Sequence, residues 1–356
     1  MLGPDAPPFF VMQGTGDGDT EGAAPSHYDS VVPAISDANV TSAPGTAWVW
    51  AFDVEHSEYG GHTGASPCPT TAKGVALGTT YFNGFLTATF YNDPASLDLF
   101  FTSEEPTPII TPAVSNPAFW PDSPGNVPQI YGATSVRVDP AAGYTSTMID
   151  GFENGNPTSS DAGLSFAVAD PGMYQESDVA SLFDAMHIAN AAVIGWDPSN
   201  EIGWQLDLDA RIALAGATSL TFRAGATVGI VEPAPVCMGV EGSLPTITLI
   251  VWDGQQADVE IDLAPYGRAA LPEARNEQSL CVLGGGGCHA WELMQTTYRV
   301  PLGVLCDEGV VLSELRVIAL RFDGTGDAPR MLLVDDVEIR AVPGEPDIPL
   351  ECRCPP

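Results

Sequence analysis

Basic side chains are scarce in this sequence. Lys73 is the only lysine, and Lys+Arg 12 stand against Asp+Glu 46, which gives a net charge of −34 at pH 7. This deficit argues against binding to nucleic acid or to anionic membranes, because both are recognised through positive side chains. The acids are spread along the chain, which is typical of a solvated surface.

Long apolar runs and export signals are also missing. No run is long enough to cross a membrane, and the N-terminus has neither a basic n-region nor an apolar h-region. None of the cysteines forms a CxxC pair or has zinc-finger spacing to histidine, and their loop positions favour disulfides in an exported protein. We therefore expect an extracellular or cell-surface location and a leader that this chain lacks. The seven cysteines are Cys68, Cys237, Cys281, Cys288, Cys306, Cys352 and Cys354.

The first hundred residues alternate strands and helices. An apolar strand runs into Gln13-Gly-Thr-Gly-Asp17, a second strand over residues 47–54 ends in Val54-Glu-His56-Ser57, and helical spacing covers residues 70–91. This order resembles the C-terminal end of a secreted α/β-hydrolase of the lipase, cutinase and polyester-hydrolase branch. The resemblance implies that Asp17 is the triad acid and His56 the triad histidine.

A hydrolase of this kind needs a nucleophilic serine on an upstream Gly-x-Ser-x-Gly elbow, and no such pentapeptide occurs in this chain. His56 would have no serine to deprotonate, and Asp17 could only orient its imidazole. We therefore predict that a complete parent protein is a serine ester hydrolase and that this chain alone is inactive. The alternatives are that Asp17 is a turn residue or cation ligand, and that His62 replaces His56.

The remaining chain is organised around short strands. Residues 102–128 are rich in proline and predict a linker between the first unit, residues 1–101, and a unit over residues 129–342, which an extended tail, 343–356, follows. Many short strands separated by Gly- and Pro-rich loops, with one helix at 177–188, predict a jelly-roll β-sandwich. The expected fold class is mostly β, a C-terminal jelly roll preceded by a partial α/β-hydrolase segment. The strands are expected at 163–168, 191–196, 203–208, 219–224, 246–252, 258–263 and 296–300.

Two apolar runs close this unit, residues 315–322 and 331–339, and the turn-rich link between them predicts a β-hairpin. Asp335 and Asp336 interrupt the second run. Because side chains alternate along a strand, one of the two should point inward. A buried carboxylate is costly unless it is paired or metal-bound, so this pair is a candidate ligand site.

The two ends of the second unit carry a further resemblance. Met148-Ile-Asp-Gly-Phe-Glu153 and Leu333-Val-Asp-Asp-Val-Glu-Ile339 resemble the first and last segments of galactose-binding-like jelly rolls, which several carbohydrate-binding module families share. The resemblance implies that these segments meet and that a structural Ca²⁺ is held by Glu153 and Asp335 or Asp336. The alternative is that the paired acids contact arginines such as Arg321 or Arg330.

Aromatic side chains could hold a sugar ring by stacking. Trp252 at a strand-to-turn edge and Trp291 in a loop are the candidate binding residues, whereas Trp196 and Trp204 lie in apolar strands and are expected in the core. The predicted function is the C-terminal portion of an exported esterase- or lipase-like hydrolase with a Ca²⁺-stabilised jelly-roll module. The alternative is a non-catalytic extracellular protein that binds carbohydrate or a surface. An ester or a polysaccharide is therefore the expected partner.

Overall fold

The structure is a computed structural model that describes most of the strands and helices of the chain. The described residues are 9–14, 46–51, 71–91, 93, 95–96, 99–100, 132–138, 145–152, 155–156, 158–168, 174–178, 190–195, 202–208, 214, 216–226, 246–254, 258–267, 273–276, 289–292, 295–323 and 331–341.

A three-stranded sheet and one long helix form the first part of the fold. β1 (Phe9–Gly14) pairs in parallel with β2 (Thr46–Ala51), and β2 pairs antiparallel with β3 (Gly132–Val138). Helix α1 (Thr71–Tyr91) confirms the predicted helix and its end before residues 92–94. The domain boundary predicted at residue 129 falls between β2 and β3, although these two strands are hydrogen-bonded neighbours in one sheet.

Aromatic rings fix α1 against the parallel pair of strands. The ring of Phe10 in β1 stacks on Phe85 in α1 with centroids 5.1 Å apart, and Phe100 contacts Phe10, Phe85 and Tyr81 at 5.8 to 6.3 Å. Gly84 allows the close approach of the segment after the helix, because a Cβ there would lie 2.6 Å from Leu99 Cδ2. The helix therefore buries one face against the sheet and the chain that follows it.

Two larger sheets form a β-sandwich, which confirms the β-sandwich part of the expected fold. Their strands are β4 (Thr145–Asp150), β5 (Phe166–Val168), β6 (Tyr174–Asp178), β7 (Asn190–Gly195), β8 (Ile202–Asp207), β9 (Ser219–Ala226), β10 (Thr246–Trp252), β11 (Val259–Asp262), β14 (Thr296–Pro301), β15 (Val317–Asp323) and β16 (Met331–Ala341). The five-stranded sheet has the order β11-β10-β15-β8-β5, and the six-stranded sheet has the order β14-β9-β16-β7-β6, with β4 also paired to β16.

Smaller elements connect these sheets. β12 (Glu273–Asn276) and β13 (His289–Glu292) form a separate antiparallel pair. A short helix, α2 (Leu302–Asp307), follows β14 and buries Leu302 and Leu305 in the core between the sheets. Cys306 in α2 is disulfide-bonded.

The core of the sandwich consists of alternate side chains from both sheets. Leu249 and Leu320 come from the five-stranded sheet, and Phe222 comes from the six-stranded sheet. The rings of Phe222 and Tyr298 on neighbouring strands stack at 4.7 Å with an interplanar angle of 3°. Burial of this many apolar side chains supplies the main driving force for pairing the sheets.

One sequence prediction for the second unit is wrong, and a second is contradicted at its start. The runs that predicted a hairpin form β15 and β16, which lie in different sheets. β15 ends at Asp323 and β16 begins at Met331, and the two strands pair with different neighbours. The predicted helix at 177–188 begins inside β6, which contains Ser177 and Asp178; its later residues lie outside the described ranges.

Candidate functional site

The predicted first and last segments of the sandwich do meet. β4 pairs antiparallel with β16 from Val337↔Asp150 to Ala341↔Thr145. The acids at this junction are therefore brought together by the two ends of the unit, as the sequence motifs indicate.

A bulge in β16 decides where the paired acids lie. Asp336 has a φ of 47°, and the pairing with β9 shifts register between Asp335 and Glu338. Both carboxylates consequently lie on the same face of the sheet, away from the core that Val334 and Val337 enter. The expectation that only one of the two points inward is wrong, because a bulge interrupts the strict alternation of a strand.

Arg223 on the neighbouring strand β9 balances both carboxylates. Its guanidinium contacts Asp335, and its Nε lies 2.9 Å from Asp336 Oδ2. All three side chains are buried, with exposed fractions of at most 6%. The structure therefore contains the alternative in which the two acids pair with an arginine. That arginine is Arg223 and not Arg321 or Arg330.

A second buried ion pair lies further along the same face. The guanidinium of Arg340 donates through Nε to Glu338 Oε1 at 2.6 Å, and the hydroxyl of Thr221 lies 3.3 Å from the same oxygen. Arg340 is 1% exposed and Glu338 is 2% exposed. The face of the six-stranded sheet opposite the core is therefore buried and charged, and its charges are paired.

These contacts decide how well the predicted calcium ligands fit a metal. Asp335 and Asp336 direct carboxylate oxygens at Arg223, a cation that would compete with Ca²⁺ for them. Glu153 lies outside the described residues. Within the ranges given above, no three Asp, Glu, His or Cys side chains come close enough together to hold a metal ion. The residues seen here do not fit a calcium site, and calcium binding stays a prediction.

A third polar cluster surrounds Asp150 at the end of β4. Its Oδ1 accepts the N–H of Phe152 at 3.1 Å and the N–H of Asp161 at 3.3 Å, while Asp161 Oδ2 accepts the N–H of Gly151 at 3.0 Å. Asp150 is fully buried, and its Oδ2 has no hydrogen-bond partner among the described residues. An uncompensated buried carboxylate oxygen favours the protonated form.

The pKa of Asp150 is raised from 3.8 to about 7, chiefly because the carboxyl is buried; the Asp161 carboxylate also raises this pKa, and the hydrogen bonds from the N–H groups of Phe152 and Asp161 lower it. Burial also raises the pKa of Glu176, which accepts the hydroxyl of Tyr174 at 2.7 Å. Asp150 therefore carries a proton over part of the neutral pH range, which makes this cluster sensitive to pH.

The five-stranded sheet has a solvent-facing side opposite the core, which we call the open face. Its exposed or half-buried side chains include Thr246, Asp262, Gln205, Asp207, Trp252, Glu260, Val317 and Arg321. Between them, Ile250 and Ala319 lie on the same side and are nearly buried, at 7% and 1% exposed. The open face thus combines an apolar floor with polar side chains around it.

Trp252 is the large aromatic side chain of the open face, and it is 39% exposed. Its position is fixed on both sides of the residue. Its carbonyl accepts the N–H of Arg316 at 2.8 Å, and the buried carboxylate of Asp253 accepts the N–H of Val311 at 3.1 Å. Gly254 then turns the chain with a φ of +85°, a conformation that favours glycine. The indole is held at the end of a rigid strand.

Strand register places polar groups beside Trp252. Trp252 pairs with Val317 on β15, and Val317 pairs with Asp207 on β8. The amide of Gln205 donates to Asp207 Oδ1 at 3.3 Å. Because neighbouring strands are about 4.8 Å apart, this row extends roughly 10 Å across the sheet from the indole.

Arg321 and Glu260 form the second polar group of the open face. The two guanidinium N–H groups donate to the two carboxylate oxygens at 2.8 Å each. Glu260 is half exposed, and the hydrogen bonds from Arg321 lower its pKa below the ordinary value. Such a bidentate pair holds planar donors and acceptors in fixed directions on an accessible surface.

The other predicted tryptophans are placed differently. Trp204 is fully buried and contacts Phe152 edge-to-face at 6.3 Å, which confirms its core position. Trp291 lies in β13, which pairs with β12, so the prediction that it lies in a loop is wrong. Trp196 lies outside the described residues. Trp204 is a core residue and does not reach the open face beside Trp252.

The predicted catalytic residues Asp17 and His56 lie outside the described residues. The strands that precede them, β1 and β2, are parallel neighbours, so their carboxyl ends lie at the same edge of the three-stranded sheet. No helix in the described part of the chain is both long enough and apolar enough to cross a bilayer.

Sequence reasoning missed Arg223 and the polar partners of Trp252. Arg223 sits in an apolar strand 112 residues before Asp335, a separation at which no local pattern indicates a contact. Gln205, Asp207 and Val317 could have been found only from strand register. Alternation did carry a signal, because Gln205 and Asp207 alternate with the core residues Trp204 and Leu206.

Comparisons with known proteins give little further guidance. No protein-family profile matches this chain, and no curated protein matches it. Among solved structures, the chain is similar to a crystal structure of CBM27-1 from Caldicellulosiruptor saccharolyticus in complex with mannohexaose, at 10% identity and a TM-score of 0.28. The similarity covers 57% of this chain and 99% of that one. The strand pairing within this chain is what shows the β-sandwich.

Proposed function

We propose that the β-sandwich binds a neutral polysaccharide along the open face, with Trp252 as the stacking platform. The observation that carries the proposal is the exposed indole of Trp252 at the end of β10, beside the apolar floor of the open face and its polar side chains. Exposed large aromatic rings are costly to hydrate and commonly mark a binding surface. This is the non-catalytic carbohydrate-binding alternative of the sequence analysis.

The polar groups around the indole suit sugar hydroxyls. A hydroxyl both donates and accepts, so it can bind the amide of Gln205, the carboxylate of Asp207 and the fork of Arg321. Each of these side chains is already held by a hydrogen bond within the sheet, which lowers the entropic cost of ordering it on binding. A flat row of this kind favours an extended glycan chain over a small enclosed ligand.

The negative charge of the chain indicates which class of glycan it would bind. The whole chain carries a net charge of −34, and the open face contributes Asp207 and Glu260. Long-range repulsion would oppose sulfated or uronic-acid polymers. We therefore expect neutral polymers to bind better than anionic ones.

The test is binding of the whole chain to soluble mannan, β-glucan and xylan, measured by affinity gel electrophoresis and calorimetry. Trp252→Ala should weaken binding about 10-fold or more, because loss of one stacking ring removes on the order of 1.4 kcal/mol. Tyr91→Ala is the matched control, since that ring is 80% exposed on α1 and off the open face. Equal binding by wild type and Trp252→Ala, or no binding to any of these polymers or their anionic counterparts, would refute the proposal.

A second candidate concerns the first hundred residues. The parallel pairing of β1 and β2 favours placing Asp17 and His56, which follow these strands, at one edge, as in the hydrolase that the motifs resemble. We propose that they are the acid and histidine of a triad whose serine this chain lacks. The chain alone should not turn over nitrophenyl esters; activity that His56→Ala abolishes would show that a nucleophile is present after all.

A further inference from the structure

The ion pair between Glu260 and Arg321 spans a strand of the open face. Glu260 lies on β11 opposite Ile250 of β10. Arg321 lies on β15 opposite Thr248, so β10 separates the two partners. Because neighbouring strands are about 4.8 Å apart, the two side chains must pass over β10 to form their two hydrogen bonds. Thr248 and Ile250 are each only 7% exposed, although they lie on the side of β10 away from the core. The pair is therefore part of the surface that a ligand of the open face would meet.

Glu260 is also close to the indole of Trp252. Trp252 follows Ile250 by two residues on the same side of β10, so Glu260 is its diagonal neighbour on β11. Diagonal neighbours in an antiparallel pair have Cα atoms about 7–8 Å apart, which is within reach of aromatic and long side chains. The side chain of Glu260 is 51% exposed, against 18% for Arg321. A sugar ring stacked on the indole would therefore have this carboxylate beside its rim.

The carboxylate of Glu260 accepts hydrogen bonds and donates none when it is ionised. The hydrogen bonds from Arg321 lower the pKa of Glu260 below its ordinary value, so it is ionised at neutral pH. Each of its oxygens accepts one N–H from Arg321, and a carboxylate has about four acceptor sites, so Glu260 can accept further hydrogen bonds. The bidentate contact fixes the directions of these sites. A ligand group beside Glu260 must therefore be a donor.

We propose that Glu260 is a specificity-determining residue of the open face, which selects polysaccharides with unsubstituted hydroxyl groups over O-acetylated ones. The inference rests on the proposed function, because Trp252 has to hold the sugar ring beside the carboxylate. A sugar hydroxyl donates to Glu260, whereas an acetyl ester has no O–H and brings a second acceptor towards the carboxylate. Arg321 is a positioning residue in this arrangement, because it acts by holding Glu260.

The other acid of β11 on the same side differs in both respects. Asp262 lies opposite Thr248, two residues further along β11 from Trp252 than Glu260. Its Oδ1 accepts the N–H of Ala264 at 3.0 Å, so it is tied to the end of its own strand. We therefore expect Asp262 to make no contribution to this selectivity, although it is exposed and carries the same charge.

The test is binding of the whole chain to soluble mannan, β-glucan and xylan, each before and after chemical O-acetylation, by affinity gel electrophoresis. The wild type should bind the unmodified form of its polymer about 10-fold more tightly than the acetylated form. Glu260→Gln should bring the two forms close to equal binding, because the amide also donates and can bind an acetyl carbonyl. Asp262→Asn is the matched control, since it removes the same charge from the same strand and should keep the ratio of about 10-fold.

The outcomes separate this inference from the proposed function. Circular dichroism first confirms that each variant is folded. If no polymer binds, or if Trp252→Ala binds as well as the wild type, the proposed function fails and the role of Glu260 fails with it. If binding requires Trp252 but both polymer forms bind equally to the wild type, or if Glu260→Gln keeps the full ratio, the proposed function stands and the role of Glu260 is overturned.

Discussion

Replacing Asp150 by Asn should change how the stability of the chain depends on pH. The pKa of Asp150 is about 7 in the folded protein and 3.8 for an ordinary aspartate, so folding takes up a proton between these values. For a carboxyl group with a raised pKa, stability is greatest at low pH and falls as pH rises towards the folded-state pKa. At 1.36 kcal/mol for each pKa unit, the full loss above neutral pH is about 4 kcal/mol.

Urea unfolding of wild type and Asp150→Asn at a series of pH values measures this loss. Asn keeps an Oδ1 that accepts the N–H groups of Phe152 and Asp161, but it carries no charge. Between about pH 5 and about pH 8, the free energy of unfolding of the wild type should fall by roughly 2.5 kcal/mol relative to the variant. The subtraction cancels the general repulsion among the other acids, which both proteins share.

A matched control comes from the same loop. Ser160 is 2% exposed, and its hydroxyl oxygen accepts the N–H of Leu164 at 3.2 Å. Ser160→Ala should destabilise the fold by an amount that does not vary with pH, because no charge is removed. If the difference between wild type and Asp150→Asn is the same at both ends of the pH range, the reasoning about a buried, proton-binding Asp150 is refuted.

Two further predictions concern packing and buried charge. Arg223→Met should cost about 3–5 kcal/mol in urea unfolding, because it strands two buried carboxylates, whereas Arg321→Met breaks a partly exposed pair and should cost less than about 1 kcal/mol. Similar losses for the two would contradict the buried pairing. Gly267→Ala should lower thermal stability by about 1–3 kcal/mol, since its Cβ would lie 2.6 Å from the ring of Tyr298. Gly216→Ala meets no atom within 4 Å but has a φ of +75°, so a cost of about 1 kcal/mol is expected there; a larger loss at Gly216 than at Gly267 would reverse this ranking.

Local patterns predicted the strands and the long helix well, because each depends on neighbours in sequence. The strand at 246–252 matches β10 in full, and the helix at 70–91 differs from α1 by one residue. The meeting of β4 and β16 was also correct, since the motifs at the two ends resemble those of a known sandwich. These successes concern element type and the closure of the unit.

Strand partners were harder to predict, because pairing depends on residues far apart in sequence. A strand, a turn and a strand give the same pattern whether they form a hairpin or cross between sheets, so the separation of β15 from β16 left no local signal. The bulge at Asp336 likewise cannot be read from alternation, and it decides that both acids face Arg223. For the candidate site, Trp252 was predicted and its polar neighbours were not.

The central place of β16 has a consequence for how the chain is made. This strand lies late in the sequence, yet β4, β7 and β9 all pair with it. During translation those three strands leave the ribosome long before the segment that joins them. The nascent sandwich therefore exposes unfinished sheet edges until β16 has been synthesised, and its long-range pairing predicts slow folding. Chaperones that shield β-strands would act on this chain chiefly in that interval.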